Sequence, residues 1–139
     1  MNYWLMKSEP STFSIDDLVQ RPNQTEPWNG VRNYQARNMM RDAMKLGDLA
    51  FFYHSNCKEA GIVGIIAIVK TAYPDTTDGE NTNWVMVDVG FIRKLNRVIT
   101  LSELKTKVEL ADFKLLQRGN RLSILPVTET QWQFILSLE

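Results

Sequence analysis

The segment Trp28-Asn29-Gly30-Val31-Arg32-Asn33-Tyr34-Gln35-Ala36-Arg37 concentrates an indole, two arginines, two asparagines and the start of a helix within ten residues. An indole can stack on the face of a nucleobase, a contact worth about 1 to 3 kcal/mol, while carboxamides and helix N-terminal amides offer donors to base edges or phosphate. The same residues also fit a plainer reading, with Trp28 as a lid packed on the core and Asn33 as an ordinary helix cap. Arg37, Arg41 and Lys45 follow at four-residue steps, which on a helix makes a basic ridge able to track a phosphate backbone or simply to face water beside Asp42.

Two further polar clusters stand where apolar runs end. Lys7-Ser8-Glu9-Pro10 puts a cation, a hydroxyl and a carboxylate at the end of one expected strand, and Tyr53-His54-Ser55-Asn56 does the same for another. Pocket-lining polar groups are commonly presented in this way. His54 and Ser55 do not make a catalytic pair, because neighbours on an extended chain point to opposite faces and no G-x-S-x-G elbow surrounds the serine. Cys57 has no second histidine to activate it. With one histidine and one cysteine the chain offers no zinc ligand set and no internal disulfide, so neither metal nor cofactor is expected.

These residues need a scaffold, and the pattern supplies one. Tyr3 to Lys7 reads as a strand stopped by Glu9-Pro10. Ser14 with Asp17 three residues on is a capping-box helix start, closed by Arg21-Pro22-Asn23. Residues 22 to 32 read as a polar connection. From Asn33, the spacing of Ala36, Met39, Met40, Ala43 and Met44 predicts a helix, which Gly47 ends. The runs 49–54 and 62–73 are strands, and Trp84 to Ile92 alternates with period two. Thr100-Leu101-Ser102-Glu103 and Thr128-Glu129-Thr130-Gln131 open helices near 101–107 and 129–138, with a strand over 121–125 between them. Residues 74–83 are expected to be a surface loop. Strands without a regular alternation of crossover helices predict an α+β domain, a mixed or antiparallel sheet curled into a barrel with short helices around it.

Composition limits the partners. A length of 139 residues suits a single domain, 1–139. No run approaches the roughly 18 apolar residues of a membrane span, and the N-terminus lacks the features of a leader peptide, so a soluble cytoplasmic protein without membrane contact is expected. Sixteen basic residues balance sixteen acidic ones. That excludes the broad positive field behind non-specific duplex binding, so any nucleic acid would be bound locally.

The blocks Tyr3 to Pro10, Trp28 to Asn38, Gly47-Asp48, Phe52 to Asn56, Gly61 to Ile65, Tyr73-Pro74-Asp75, Trp84 to Val89, Leu101 to Leu104 and Arg121 to Val127 resemble the EVE domain in order and spacing along essentially the whole chain. The resemblance implies a PUA-like β-barrel, related to the YTH domains that read methylated adenine in RNA. It further implies a pocket for a modified base carried by DNA or RNA, with Trp28 as stacking wall, Ser8 and Asn33 as polar readers, and Tyr53, His54 and Ser55 closing the site. Lys7, Arg32, Arg37 and Ser123 would be rim or backbone contacts. Many relatives carry an insert between Asp75 and Trp84 where this chain has only Thr76 to Asn83. Two rivals remain open: an enzyme acting on a modified nucleotide, with His54 as acid or base supported by Glu9 or Asp75, and a PUA-type RNA binder without modification specificity.

Overall fold

The computed structural model describes residues 1–77, 79 and 83–139. Six strands, β1 (Tyr3–Ser8), β2 (Thr25–Pro27), β3 (Leu49–His54), β4 (Gly61–Pro74), β5 (Val85–Thr100) and β6 (Ile124–Val127), form one sheet in the order β2-β5-β4-β3-β1-β6. The helices are α1 (Ile15–Gln20), α2 (Tyr34–Asn38), α3 (Leu101–Leu104) and α4 (Glu129–Leu136). Strand β1 pairs parallel with β3 and antiparallel with β6, and the other pairings are antiparallel. The α+β class with a mixed sheet stands. The closed barrel does not: β2 and β6 are the two edges of the sheet, and they are not joined.

The physical reason lies in the two-sided core. Trp4 and Met6 pack with Ile15, Leu18, Trp28, Val31, Ala36, Met40 and Phe52 on one face. Leu5 packs with Phe51, Tyr53, Leu104, Phe113, Leu125 and Trp132 on the other. Helices cover both faces, so the strands read as continuous apolar runs, as expected for a sheet buried on both sides. Strand β4 switches faces along its length. Ile62 and Ile65 lie in the second core, while Val63 and Ile66 lie in the first, with a register shift between Ile62 and Gly64. A Cβ at Gly64 would stand 2.1 Å from Ile15 Cδ1, so glycine at the bulge makes room for α1 to dock.

The N-cap readings fit the structure. Ser14 and Asp17 make a reciprocal capping box, as do Thr128 and Gln131. Thr100 caps α3 through the Glu103 N–H, but the Glu103 carboxylate turns to Arg97 and the helix ends at Leu104, short of the expected residue 107. The long helix from Asn33 is also corrected. Helix α2 lasts five residues and then widens into a π-turn, Met39–Ala43, closed by the Met44 N–H on the Met39 carbonyl. The expected basic ridge is partly neutralised: Arg37 lies over Tyr34, Arg41 pairs with its neighbour Asp42, and Asp42 also feels Arg37 and Lys45. Strand β5 runs eight residues beyond the expected Ile92, because β4 pairs with it to its end, Ile65 opposite Arg93 and Gly61 opposite Thr100, and Leu95 and Ile99 are buried in the second core; Arg93 with Glu139, Lys94 with Asp16 and Arg97 with Glu103 form ion pairs along it. Strand β6 starts at Ile124 and tolerates Pro126 because it is an edge. Of the expected surface loop, Asp78, Glu80, Asn81 and Thr82 lie outside the described residues.

Candidate functional site

A cleft of about 260 Å³ opens where β1 leaves the sheet, lined by Lys7, Ser8, Thr12, Phe13, Arg21, Glu26, Pro27, Trp28 and Asn29. Trp28 is fixed at the end of β2 by its N–H on the Val87 carbonyl, 2.7 Å. Its ring stands edge-on to Phe52, 5.5 Å between centroids, and to Phe13, 6.5 Å. It is only 7% exposed, so most of its faces are covered by protein. No buried side-chain nitrogen or oxygen among the described residues lacks a partner, and the indole N–H makes no hydrogen bond among the described residues, so it reaches solvent.

Phe13 is half-buried and lies under the Arg21 guanidinium, 5.2 Å from the ring centroid. Arg21 in turn pairs with Glu26 at 3.2 Å. The Ser8 hydroxyl donates to the Phe13 carbonyl at 2.6 Å, which pins the turn carrying Phe13 and leaves the serine oxygen able to accept. Lys7 completes the strand end, and burial lowers its pKa. The cleft therefore combines ring edges and faces, two cations, a carboxylate and hydroxyls.

The sequence-predicted residues divide into several groups. Lys7, Ser8 and Trp28 meet in the cleft. Tyr53 is buried in the core of the opposite face, where burial raises its phenol pKa with the nearby Cys57 adding to it. His54 faces α1: its Nε2 accepts the Ile15 N–H at 3.1 Å, and burial lowers its pKa against the opposing pull of Asp16. Ser55 donates its backbone N–H to the Ser8 carbonyl at 3.0 Å, and Ser123 accepts the Lys7 N–H at 2.9 Å. Asn33 caps α2 through the Ala36 N–H and lines a separate hollow of about 350 Å³ with Gln35, Gly119, Asn120, Arg121 and Leu122. Glu9, which the enzyme alternative would recruit, accepts from the Asn56 carboxamide at 3.1 Å.

Arg32 and Arg37 belong to a stack beside the cleft. Arg32 lies over Trp84, Trp84 stacks on Tyr34 at 4.8 Å, and Arg37 lies over Tyr34. Arg32 also donates to Asp75 at 3.0 Å, and Asp75 accepts from the Gly30 N–H and from the N–H and hydroxyl of Thr77. Burial alone would raise the Asp75 carboxyl. The hydrogen bonds from Thr77, Arg32 and Gly30 outweigh it and hold the group well below the usual carboxylate range. Gly30 takes a φ of +81°, a turn that glycine makes without strain and that aims its N–H at Asp75. Asp75 thus anchors the segment that follows Trp28.

Asn29, one of the two asparagines of the recognition segment, lines the cleft, whereas Thr12, Phe13, Arg21, Glu26 and Pro27 were not anticipated. A signal for Phe13 existed: an aromatic directly before the Ser14 cap is the position of a hydrophobic staple, which fixes how the chain enters the helix. Among the described residues no three His, Cys, Asp or Glu side chains are grouped to hold a metal, and no helix is long and apolar enough to cross a membrane.

Residues 2–138 match the EVE domain family. Mouse thymocyte nuclear protein 1 is 50% identical over 168 residues, an alignment that spans 99% of this chain and 74% of the mouse protein. That span exceeds the 139 residues here, so the relative carries segments this chain lacks. The human THYN1 protein in complex with 5-methylcytosine-containing DNA is 48% identical with a TM-score of 0.92, covering 99% of this chain and 97% of that one. A Pseudomonas putida protein is 45% identical with a TM-score of 0.91 and 98% coverage of both chains. A Zymomonas mobilis ASCH protein, 9% identical with a TM-score of 0.60 and 99% coverage of each chain, shares the fold alone. The cytoplasmic placement expected from the sequence is overturned by the vertebrate relatives, which are named as nuclear proteins; composition does not separate cytosol from nucleus. On the match along its whole length, the chain belongs to the EVE domain family.

Proposed function

We propose that this chain is a non-catalytic DNA-binding domain that holds a modified cytosine in the cleft lined by Phe13 and Trp28. The observation that carries this reading is the pair of rings at 84° with polar groups at their margins. A planar guest lying on the accessible part of Phe13 meets the edge of Trp28, whose solvent-reaching N–H donates to a base acceptor while the Ser8 oxygen accepts from a base amine. A volume of about 260 Å³ is below the roughly 300 to 1,000 Å³ of drug-sized pockets and suits a single base. The base is taken out of the stack, and a wrong base leaves buried donors unpaired, about 1 to 3 kcal/mol per group. An apolar wall rewards one added methyl group by a comparable amount, about 5- to 150-fold in affinity.

The human relative bound to 5-methylcytosine-containing DNA supports DNA as the carrier and a methylated cytosine as the first ligand to try. The commitment of the His54 acceptor to Ile15 supports a reading without catalysis, because the enzyme alternative needs that nitrogen as its base. In this reading residues 1–139 act as one binding domain.

The test is fluorescence anisotropy of labelled single-stranded and duplex DNA with and without one 5-methylcytosine, using the parent, Phe13→Leu and Trp28→Phe. The parent should prefer the methylated strand, and both variants should lose most of that preference while still melting cooperatively. Undiminished preference in both variants would place the base elsewhere.

A further inference from the structure

We propose that the hollow between α2 and the turn 119–122 is a second subsite, which grips the phosphate backbone of the strand flanking the base held in the cleft. The proposal rests on the reading of the cleft as a base site and adds where the rest of the strand goes.

The hollow is lined by Asn33, Gln35, Gly119, Asn120, Arg121 and Leu122 and measures about 350 Å³. Its spare hydrogen-bonding capacity is mostly for donation. The Asn33 side-chain oxygen is used by the Ala36 N–H, leaving its NH₂ group. Asn120 spends its oxygen on the Leu122 N–H and its nitrogen on the Lys114 carbonyl, so it shapes the turn. Arg121 is exposed and makes no ion pair or hydrogen bond among the described residues. No carboxylate lines the hollow, and the segment 113–123 carries Lys114, Arg118 and Arg121 without an acidic residue. In a chain with zero formal net charge, such a segment is a local positive patch. A guanidinium with nearby amides and no competing acid fits an acceptor-rich, doubly shared oxygen pair, which a phosphodiester supplies.

Position supports the same occupant. The Ser123 carbonyl accepts the Lys7 N–H at 2.9 Å, so the chain that lines the hollow at Leu122 reaches the strand end that lines the cleft one residue later. From the other side, Trp28 of the cleft and Asn33 of the hollow lie five residues apart, on a segment that Asp75 holds through Gly30 and Arg32. A strand that delivers one base to the cleft passes this rim.

The test compares the parent, Arg121→Gln and Gln35→Ala with Lys105→Gln, a control that removes the same charge from a different hollow, one lined by Lys105, Thr106 and Lys107. Binding of a 5-methylcytosine-containing 12-mer is followed from 50 to 300 mM salt, and binding of free 5-methyl-2′-deoxycytidine is measured alongside. Arg121→Gln should weaken the 12-mer and make the log–log salt slope shallower by about 0.7 to 0.9, the loss of one phosphate contact, with nucleoside affinity unchanged. Gln35→Ala should weaken the 12-mer less, and Lys105→Gln should match the parent. If Arg121→Gln keeps the parental affinity and slope, or loses no more than Lys105→Gln, the subsite is wrong. If Arg121→Gln weakens the strand but the parent does not distinguish methylated from plain DNA, the subsite stands and the modified-base reading falls. A parent that binds no strand overturns both.

Discussion

As pH falls below about 6.5 the stability of this protein should drop because of one side chain, His54. Its Nε2 accepts the N–H of Ile15, the first residue of α1, which requires a neutral ring with its proton on Nδ1. Protonation would set N–H against N–H and place a positive charge at the positive end of a helix. The ring is half-buried, and burial lowers its pKa, with Asp16 opposing. The unfolded chain binds a proton below about pH 6.5, where the folded ring resists it, so this contribution is complete above that pH and is lost as pH falls through the lower folded value. One proton of difference gives a slope of at most about 1.4 kcal/mol per pH unit, and solvent screening of the half-exposed ring reduces it. Asp17, Asp75, Glu103 and Glu139, whose pKa values are lowered, lose their contributions only below about pH 4 to 4.5, so the higher window belongs to the chain's single histidine. Urea midpoints at half-unit pH steps measure the slope, and the His54 Cε1–H resonance measures the pKa. His54→Gln keeps a neutral acceptor and should flatten the curve while retaining binding of methylated DNA at pH 7. A ring that titrates at or above 6.5, or parallel curves for parent and variant, would refute the capping role.

Three other perturbations test the frame of the site. Asp75→Ala removes the acceptor for the Gly30 and Thr77 N–H groups, the Thr77 hydroxyl and Arg32, and should cost about 2 to 4 kcal/mol in urea unfolding and weaken DNA by loosening the segment after Trp28. Glu26→Gln removes the carboxylate that holds Arg21 beside the cleft; stability should change by less than about 1 kcal/mol, while affinity for DNA rises and its salt dependence steepens, as anisotropy would read. Gly61→Ala would set a Cβ 2.5 Å from the Ile99 carbonyl oxygen and 2.8 Å from Thr100 Cα, backbone atoms of the paired strand that cannot move aside, so thermal melting should show a loss of about 1 to 3 kcal/mol.

The elements were legible wherever a local rule decides them. Ser14 with Asp17 and Thr128 with Gln131 specify caps by side-chain chemistry alone, and both boxes are present. The family blocks identified the chain because they extend from Tyr3 to Val127 without depending on any single residue. Features set by tertiary contact were not legible. Arg93, Lys94 and Arg97 look like a strand's end, and only the pairing with β4 and the burial of Leu95 and Ile99 among them make them part of β5. The π-turn after Asn38 keeps Met40 and Met44 in the core, and a methionine stripe read at 3.6 residues per turn cannot reveal the extra residue that the turn accommodates.

The site shows the same division, with one part that period-two reasoning could have settled. Phe52 and Tyr53 are neighbours on β3, so only one of them can share a face with Trp28; Phe52 packs edge-on against that indole, and Tyr53 goes to the other core. His54 has the right parity for the Trp28 face, and its ring meets Phe52 edge-on, yet its free nitrogen is taken by α1, a partner 39 residues away that no local pattern names. The polar strand end therefore does its work one step back from the cleft. His54 fixes where α1 begins, the Ser14 cap fixes the residue before it, and Phe13 is thereby set as a wall of the cleft, nearly at right angles to Trp28. A residue chosen for its chemistry is here a determinant of shape, while the wall itself comes from an aromatic whose only local distinction is that it precedes a cap.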